Sequence, residues 1–457
     1  MAVPDDRCGY TVEYESLNSF HPERTCCYRR SWRDGRCIWH ADVVDKPVEK
    51  LKESRLDQPE HLAGAVLTGT TVDDELSFAG CQLYRADLSD ARFRDANFSN
   101  ANLLRADLVD ADFVRANFTE AEAWEITASE SNFLESDFTE AAVIRSDFSG
   151  ANFGGADLTN ANLSDVSLSG ADLSSADLSD ASVRIADLSG VFAQNANLSY
   201  ADFEKSDLSD ANFTDANARG AVFEAANLTR TNFFGADLTG SDTYGAVLSD
   251  IQINRKTQFG KHYTYALDSD DPVDVDGSSP TAWDKARWTY RQAERLARDN
   301  ALPERAREYY VTRKNVRRRE YRRLGGLANR YRWAKAVVSW AVMEYGENPR
   351  RVVGFSLAII LGFGVAFPFF GGMTSGETQS AVPYAFDPIT TGSIPLPEWL
   401  VVLLANLYFS GVTFTTLGYG DIQPATPAVE VMATVESFLG ALLMALLVFV
   451  LGRRTTW

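Results

Sequence analysis

The sequence predicts a multidomain chain: a stacked-coil repeat, then an α-helical connecting segment, then an all-α region that crosses a membrane twice. Three observations carry this. A five-residue period runs unbroken from residue 76 to about residue 248. Two long apolar stretches, residues 352–370 and 428–451, follow it near the other end. Charge is also unevenly spread: the chain has 457 residues and a formal net charge of −19, yet residues 281–351 carry about +11, leaving roughly −30 elsewhere. Such asymmetry implies separate modules. Lys supplies only about nine of the 44 basic residues while Asp is abundant, a surface suited to hydration in high salt. A halophilic source is therefore expected, with loss of structure in dilute buffer as its test.

Residues 1–60 form the first expected module, a cap rich in Cys, His, Trp and Arg. Cys8, Cys26, Cys27, Cys37 and His40 fall within it, and Cys37 and His40 have ligand-like spacing. Thiolates and imidazole together suit zinc, and metal binding would supply folding energy to a segment that buries little. The competing interpretation is a set of reduced, buried thiols. The first twenty residues lack an apolar core, so no secretory signal is expected and the amino end is placed in the cytoplasm, where disulfides are disfavoured.

The second module spans residues 61–255. Ala86-Asp87-Leu88, Ala106-Asp107-Leu108, Ala151-Asn152-Phe153, Ala171-Asp172-Leu173 and Ala236-Asp237-Leu238 share one phase, and about 35 such pentads follow one another. Two earlier units, ending near Leu67 and Val72, stand one residue out of step. Phe93, Phe113, Phe133 and Phe153 recur every twenty positions, as do Phe98, Phe118 and Phe138. Twenty residues would make one coil, stacking each ring on its counterpart at about 4.8 Å, so that nearly nine coils reach roughly 40 Å. These pentads resemble the pentapeptide-repeat family, and the resemblance implies a right-handed quadrilateral β-helix with four pentads per coil. An acidic rod of that family can resemble DNA in shape and charge. A scaffold or docking post for a cytoplasmic protein partner is the favoured expectation, with no nucleic acid bound, because no catalytic cluster interrupts the pattern. Nothing in the sequence suggests an enzyme.

Residues 256–282 are expected to be an acidic linker, centred on "DSDDPVDVDGSSP". Residues 283–349 are expected to form basic cytoplasmic helices, about 283–300 and 303–324, with a third at about 327–344 lying in the membrane interface. The run "RKNVRRREYRR" would meet anionic lipid head groups, or balance the acidic rod.

The last module, residues 350–457, contains an outer helix (350–370), a short apolar helix (399–414), a loop (415–421) and an inner helix (428–451). Arg350, Arg351, Arg453 and Arg454 flank the two spans, whereas residues 371–398 hold neither Lys nor Arg, which places both ends inside. The short helix of roughly 16 residues covers only about 24 Å and is expected to enter and return. Gly418 and Gly420 permit backbone conformations in which successive carbonyls point the same way, so that a cation can trade its water for them. One loop makes a quarter of such a ring; four chains must meet. The stretch Thr415-Thr416-Leu417-Gly418-Tyr419-Gly420-Asp421 resembles the selectivity filter of potassium channels, and the order of elements is similar to the two-transmembrane members. Leu417 departs from the commonest family pattern, which has Val there. The resemblance implies potassium ions in the filter, the Thr416 hydroxyl at the inner site, Tyr419 bracing the ring and Asp421 at the outer mouth.

On the inner helix the resemblance places Gly440 at the family's hinge, with Met444, Val448 and Gly452 following on the same face; close packing is the alternative for Gly440. Glu436 is a membrane-embedded acid that costs about 2.5–3.5 kcal/mol to insert without compensation, and it is expected behind the filter rather than in the pore. No arginine-striped voltage sensor and no carboxyl-terminal ligand-sensing domain are expected. The function expected from all this is a homotetrameric potassium-selective channel in the cell membrane, with cytoplasmic termini and a repeat region of scaffold or regulatory role. The alternative is a membrane-anchored repeat scaffold whose pore is weakly selective or non-conducting.

Overall fold

The computed structural model describes residues 8, 10–12, 24–25, 29–55, 60–72, 76–259, 281–375, 396–418 and 420–454. Cys26, Cys27, Tyr419 and the linker residues 260–280 lie outside the described residues. The chain divides into two compact units, Met1–Ala306 and Arg307–Trp457.

In the first unit the pentads from Gln82 to Asn232 form parallel bridges with the pentad twenty residues on, as in Gln82↔Asn102, Asp87↔Asp107, Arg92↔Asp112 and Asn97↔Asn117. The chain is therefore a β-helix whose coils bond upward and downward: the Leu88 amide donates to Asp107 O at 2.7 Å and the Asp107 amide to Ala86 O at 2.8 Å. Val66↔Asp87 and Thr71↔Arg92 pair across twenty-one residues, the one-residue offset visible in the sequence. A second offset, Asp237↔Gln258, ends the rod and has no counterpart in the expected pattern, because the pentad motif has already faded there.

Leu or Phe at each pentad centre and Ala or Ser two residues earlier are buried. The phenylalanines form the expected columns. Ring centroids lie 5.2, 5.2 and 4.9 Å apart along Phe93, Phe113, Phe133 and Phe153, with planes within 13° of parallel. Phe78 extends the second column, 4.9 Å from Phe98.

Every fifth residue from Arg85 to Asp250 has positive φ, so each pentad turns on a left-handed corner. Asp, Asn and Gly tolerate that conformation best, which explains their frequency there; Ile185, at φ 57°, is a β-branched exception that costs energy. Where Asp or Asn precedes the central residue, its side chain pins the corner. Asp177 Oδ1 accepts from the Ser179 amide at 2.9 Å, and Asp187 Oδ1 from the Ser189 amide at 2.9 Å. Burial works to raise the Asp177 pKa, but bonds from the Ser179 hydroxyl and amide and from Asn197 outweigh it and hold the carboxyl below the usual range. Asp237 is lowered in the same way, with Thr239 and Arg219 as partners.

Both ends of the rod are covered. At the first coil the Val66 amide donates to Trp39 O at 2.7 Å, the Gln82 amide donates to Glu60 O at 2.8 Å, and Trp39 meets Phe78 edge to face. The short strands β1 (Thr11–Val12) and β2 (Arg24–Thr25) pair antiparallel, and α1 spans Val48–Glu53. At the last coil lies α2 (Ala282–Asp299), opened by a capping box between Thr281 and Asp284. It buries Ala286, Tyr290, Ala293, Leu296 and Ala297. Lys285 reaches Glu224 at 2.6 Å and Asp242 at 3.2 Å, and the Asn300 side chain bonds both Ile251 O and the Ile253 amide. The sequence placed this helix with the basic membrane-proximal group; its apolar stripe instead closes the open coil.

The second unit takes in most of α3 (Pro303–Leu324), then α4 (Gly326–Met343), α5 (Pro349–Ala366, continued by a 3₁₀ turn to Phe370), β3 (Met373–Ser375), α6 (Leu396–Phe414), β4 (Ile422–Pro424) and α7 (Pro427–Arg454). Two of these helical stretches, Pro349–Phe370 and Pro427–Arg453, are long and apolar enough to cross a membrane. Helices α5, α6 and α7 pack on one another, and β3 pairs antiparallel with β4.

Candidate pore segment

Thr415 follows α6 directly, so the loop begins where the helix leaves its last carbonyls without helical donors. The loop turns back to supply donors itself. The Thr415 hydroxyl donates to Gly411 O at 2.8 Å, and the Leu417 amide to Val412 O at 3.1 Å. Gly418 and Gly420 have φ of +50° and +75°, and Thr416 joins them at +57°. Two of these left-handed positions are the glycines singled out in the sequence; the third is a threonine, whose hydroxyl is bonded to Thr415 O at 2.7 Å. At the other end of the loop the Tyr408 hydroxyl donates to Asp421 Oδ2 at 3.0 Å, tying the short helix to the loop's exit. Pattern reasoning passed over Tyr408, since one aromatic on an apolar helix looks like core.

Between α5, α6 and α7 sits a polar contact in an apolar bundle. Glu436, Ser410 and Asn406 are fully buried. The Ser410 hydroxyl bonds the Glu436 carboxylate and Ile360 O, so one side chain of α6 touches both α5 and α7. Asn406 Nδ2 donates to Val402 O at 2.8 Å. Glu436 thus lies among this chain's own helices, away from the exposed faces of α7.

A methyl group on Gly440 would collide with the backbone of Phe414, the residue immediately before the loop. A Cβ on Gly364 would similarly stand 3.0 Å from Leu407 Cα. The two glycines let α7 and α5 approach α6 closely. Met444 and Val448 are exposed within the single chain, as are Val431, Val435, Phe438, Leu442 and Phe449 on a separate stripe.

At the far end of α7, Arg453 pairs with Glu347 at 2.9 Å and lies over the Tyr310 ring at 4.4 Å. Glu347 follows a turn in which Glu344, Tyr345 and Gly346 all have positive φ. The Tyr345 hydroxyl donates to Asn315 Oδ1 at 3.1 Å, and Trp340 is flanked by Arg318 and Arg351. The sequence used Arg453 only as a marker of membrane orientation; here it joins the end of the inner helix to α3. No spacing signal exists for such a contact.

In the first unit, Cys8, Cys37 and His40 come together, their potential ligand atoms within 4.8 Å of one another.

A family profile described as "Ion channel" matches residues 397–456. One described as "Pentapeptide repeats (8 copies)" matches 81–119, 116–155, 146–185, 176–215 and 206–242. No curated protein matches the chain. Among solved structures it is similar to HetL, a pentapeptide repeat protein involved in heterocyst differentiation regulation from the cyanobacterium Nostoc sp. strain PCC 7120, at 28% identity over 43% of this chain and 89% of that one, with a TM-score of 0.28. A second Nostoc pentapeptide repeat protein is 34% identical over 22% of this chain and 84% of its own, with a TM-score of 0.19. One from the Arabidopsis thaliana thylakoid lumen is 26% identical over 28% and 69%, with a TM-score of 0.14.

Proposed function

The chain belongs to the pentapeptide-repeat proteins and joins its repeats to a two-transmembrane ion-channel domain, and from that premise we propose that it is a homotetrameric potassium-selective channel. The observation carrying this is the loop at residues 415–421, whose described residues 415–418 and 420–421 are exposed, placed after a short apolar helix and between two helices of spanning length, with Gly418 and Gly420 in left-handed conformation. Four copies would set the carbonyls of Thr416, Leu417, Gly418 and Tyr419 around one axis, where a potassium ion exchanges its water for them. Met444 and Val448 would line the cavity below, and Asp421 the outer mouth. Both termini, the right-handed quadrilateral repeat rod and the basic helices would lie on the cytoplasmic side, with the arginines of α3 and α4 near anionic lipid. The module limits would be those expected from the sequence, except that α2 goes with the repeat rod.

Regulation enters from that side. Arg453 ties α7 to Glu347 and Tyr310, so a displacement of α3 reaches the inner helix. Removing residues 1–280, or replacing Arg453 by alanine, changes open probability; unaltered gating in both would refute the link.

Potassium flux into vesicles carrying the purified protein tests the main proposal. Flux that is selective over sodium and abolished by Gly418→Asp is expected, from assemblies of four chains. A protein that inserts but carries no ions is a membrane-anchored repeat scaffold, and an assembly other than four chains sinks the filter argument.

A further inference from the structure

We propose that Cys8, Cys37 and His40 hold a zinc ion that fastens the amino-terminal cap to the first coil of the rod. This rests on the first unit alone and is independent of ion conduction.

All three side chains are buried, and neither cysteine is in a disulfide. The imidazole Nδ1 stands 3.2 Å from Cys37 Sγ and 3.5 Å from Cys8 Sγ. Zinc bonds of about 2.3 Å to sulfur and about 2.0–2.1 Å to nitrogen, at tetrahedral angles, put two such ligand atoms about 3.6 Å apart. The two nitrogen-to-sulfur distances are therefore near that of ligands sharing one ion, and all three ligand atoms lie within 4.8 Å of one another.

The other ring nitrogen holds the imidazole in place. His40 Nε2 lies 3.1 Å from Ala63 O, a carbonyl that can only accept, so Nε2 carries a proton and Nδ1 is the ring atom that faces the two sulfurs. A cation shared by two thiolates and the imidazole satisfies all three groups, and a ligating histidine held through its second nitrogen by a backbone carbonyl is the usual supporting arrangement. Two thiolates also neutralise the ion, which suits a buried site.

The ligands come from separate parts of the cap. The Cys8 amide donates to Arg29 O at 2.9 Å, whereas Cys37 and His40 belong to one turn in which the Ala41 amide donates to Cys37 O at 2.9 Å. Through Ala63 the site reaches the first coil, and Tyr10 stacks on the His40 ring at 4.4 Å between centroids. An ion here would join segments far apart in sequence, which is what a structural metal does for a small module. Cys26 and Cys27 lie outside the described residues and are not part of the proposed set.

Metal content of the full-length protein, purified under reducing conditions from zinc-supplemented culture, tests this. About one zinc per chain is expected, lost in Cys37→Ser and in His40→Ala but kept in Cys81→Ser, which alters a buried thiol outside the set. Because the first two variants risk misfolding, wild-type protein provides a second measurement. Exchange of its zinc for cobalt should produce sulfur-to-metal charge-transfer absorption, and chelation should expose Cys8 and Cys37 to alkylation at least about tenfold faster. Wild-type protein without stoichiometric metal, cobalt spectra without the thiolate band, or alkylation indifferent to chelator would each overturn the proposal, whatever the flux assay shows.

Discussion

Replacing Gly440 by alanine tests how the inner helix supports the loop before which α6 ends. Alanine is the better helix former by about 1 kcal/mol, so on an isolated helix the change would stabilise. In this structure the new methyl group meets the carbonyl, carbonyl carbon and Cα of Phe414. Backbone atoms cannot rotate aside as a side-chain tip can, so α6 and α7 must separate, and forcing a methyl into such a contact costs about 1–3 kcal/mol. With three backbone atoms opposing it, the upper part of that range applies and a net loss of about 1–2 kcal/mol is expected. For a unit the size of Arg307–Trp457 this lowers the melting midpoint by about 2–8 °C. Since Thr415 follows Phe414, the displacement also reaches the loop and should lower potassium-over-sodium discrimination. Thermal unfolding in detergent and reversal potentials in mixed salts read the two effects, with Gly354→Ala as control because a methyl there meets nothing within the chain. A glycine used only for bending predicts the opposite: a midpoint at or above wild type, unaltered selectivity and changed gating. That outcome would refute the packing argument.

Glu436→Ala takes away the carboxylate that receives the Ser410 hydroxyl and should cost about 1–3 kcal/mol, whereas Glu436→Gln retains an acceptor and costs less; thermal melts giving equal losses would disprove the pairing. Phe113→Ala removes a ring stacked on both Phe93 and Phe133 and should cost about 3–5 kcal/mol. Hydrogen exchange should then quicken by about two to four orders of magnitude in the flanking coils and hardly at all several coils away, because each coil touches only its neighbours; uniform loosening of the rod would contradict this. Asp177 and Asp237 have folded pKa values below their unfolded ones, so their stabilisation is complete above the unfolded value, about pH 4, and is lost as pH falls through the folded values. Circular dichroism of the intact protein should therefore hold steady down to about pH 4 and decline below it; a decline that begins near neutrality would show that the corner bonds do not govern acid stability.

The β-helix was legible residue by residue because its structure is local and periodic. Once Ala86, Leu88 and their equivalents set an inward and outward alternation, each coil can only stack on the last, and Phe93, Phe113 and Phe133 must fall into register. The two long apolar helices and the left-handed Gly418 and Gly420 were legible for a related reason: a span predicts a long apolar helix, and only glycine freely enters left-handed backbone. Contacts between segments far apart in sequence carry no such periodic mark. The return of α2 onto the last coil, the convergence of Cys8 on His40, the collision course between Gly440 and Phe414, and the tie from Arg453 to Glu347 each depend on where separate helices and turns come to rest. Composition made these residues candidates at best, and tertiary packing alone selected their partners.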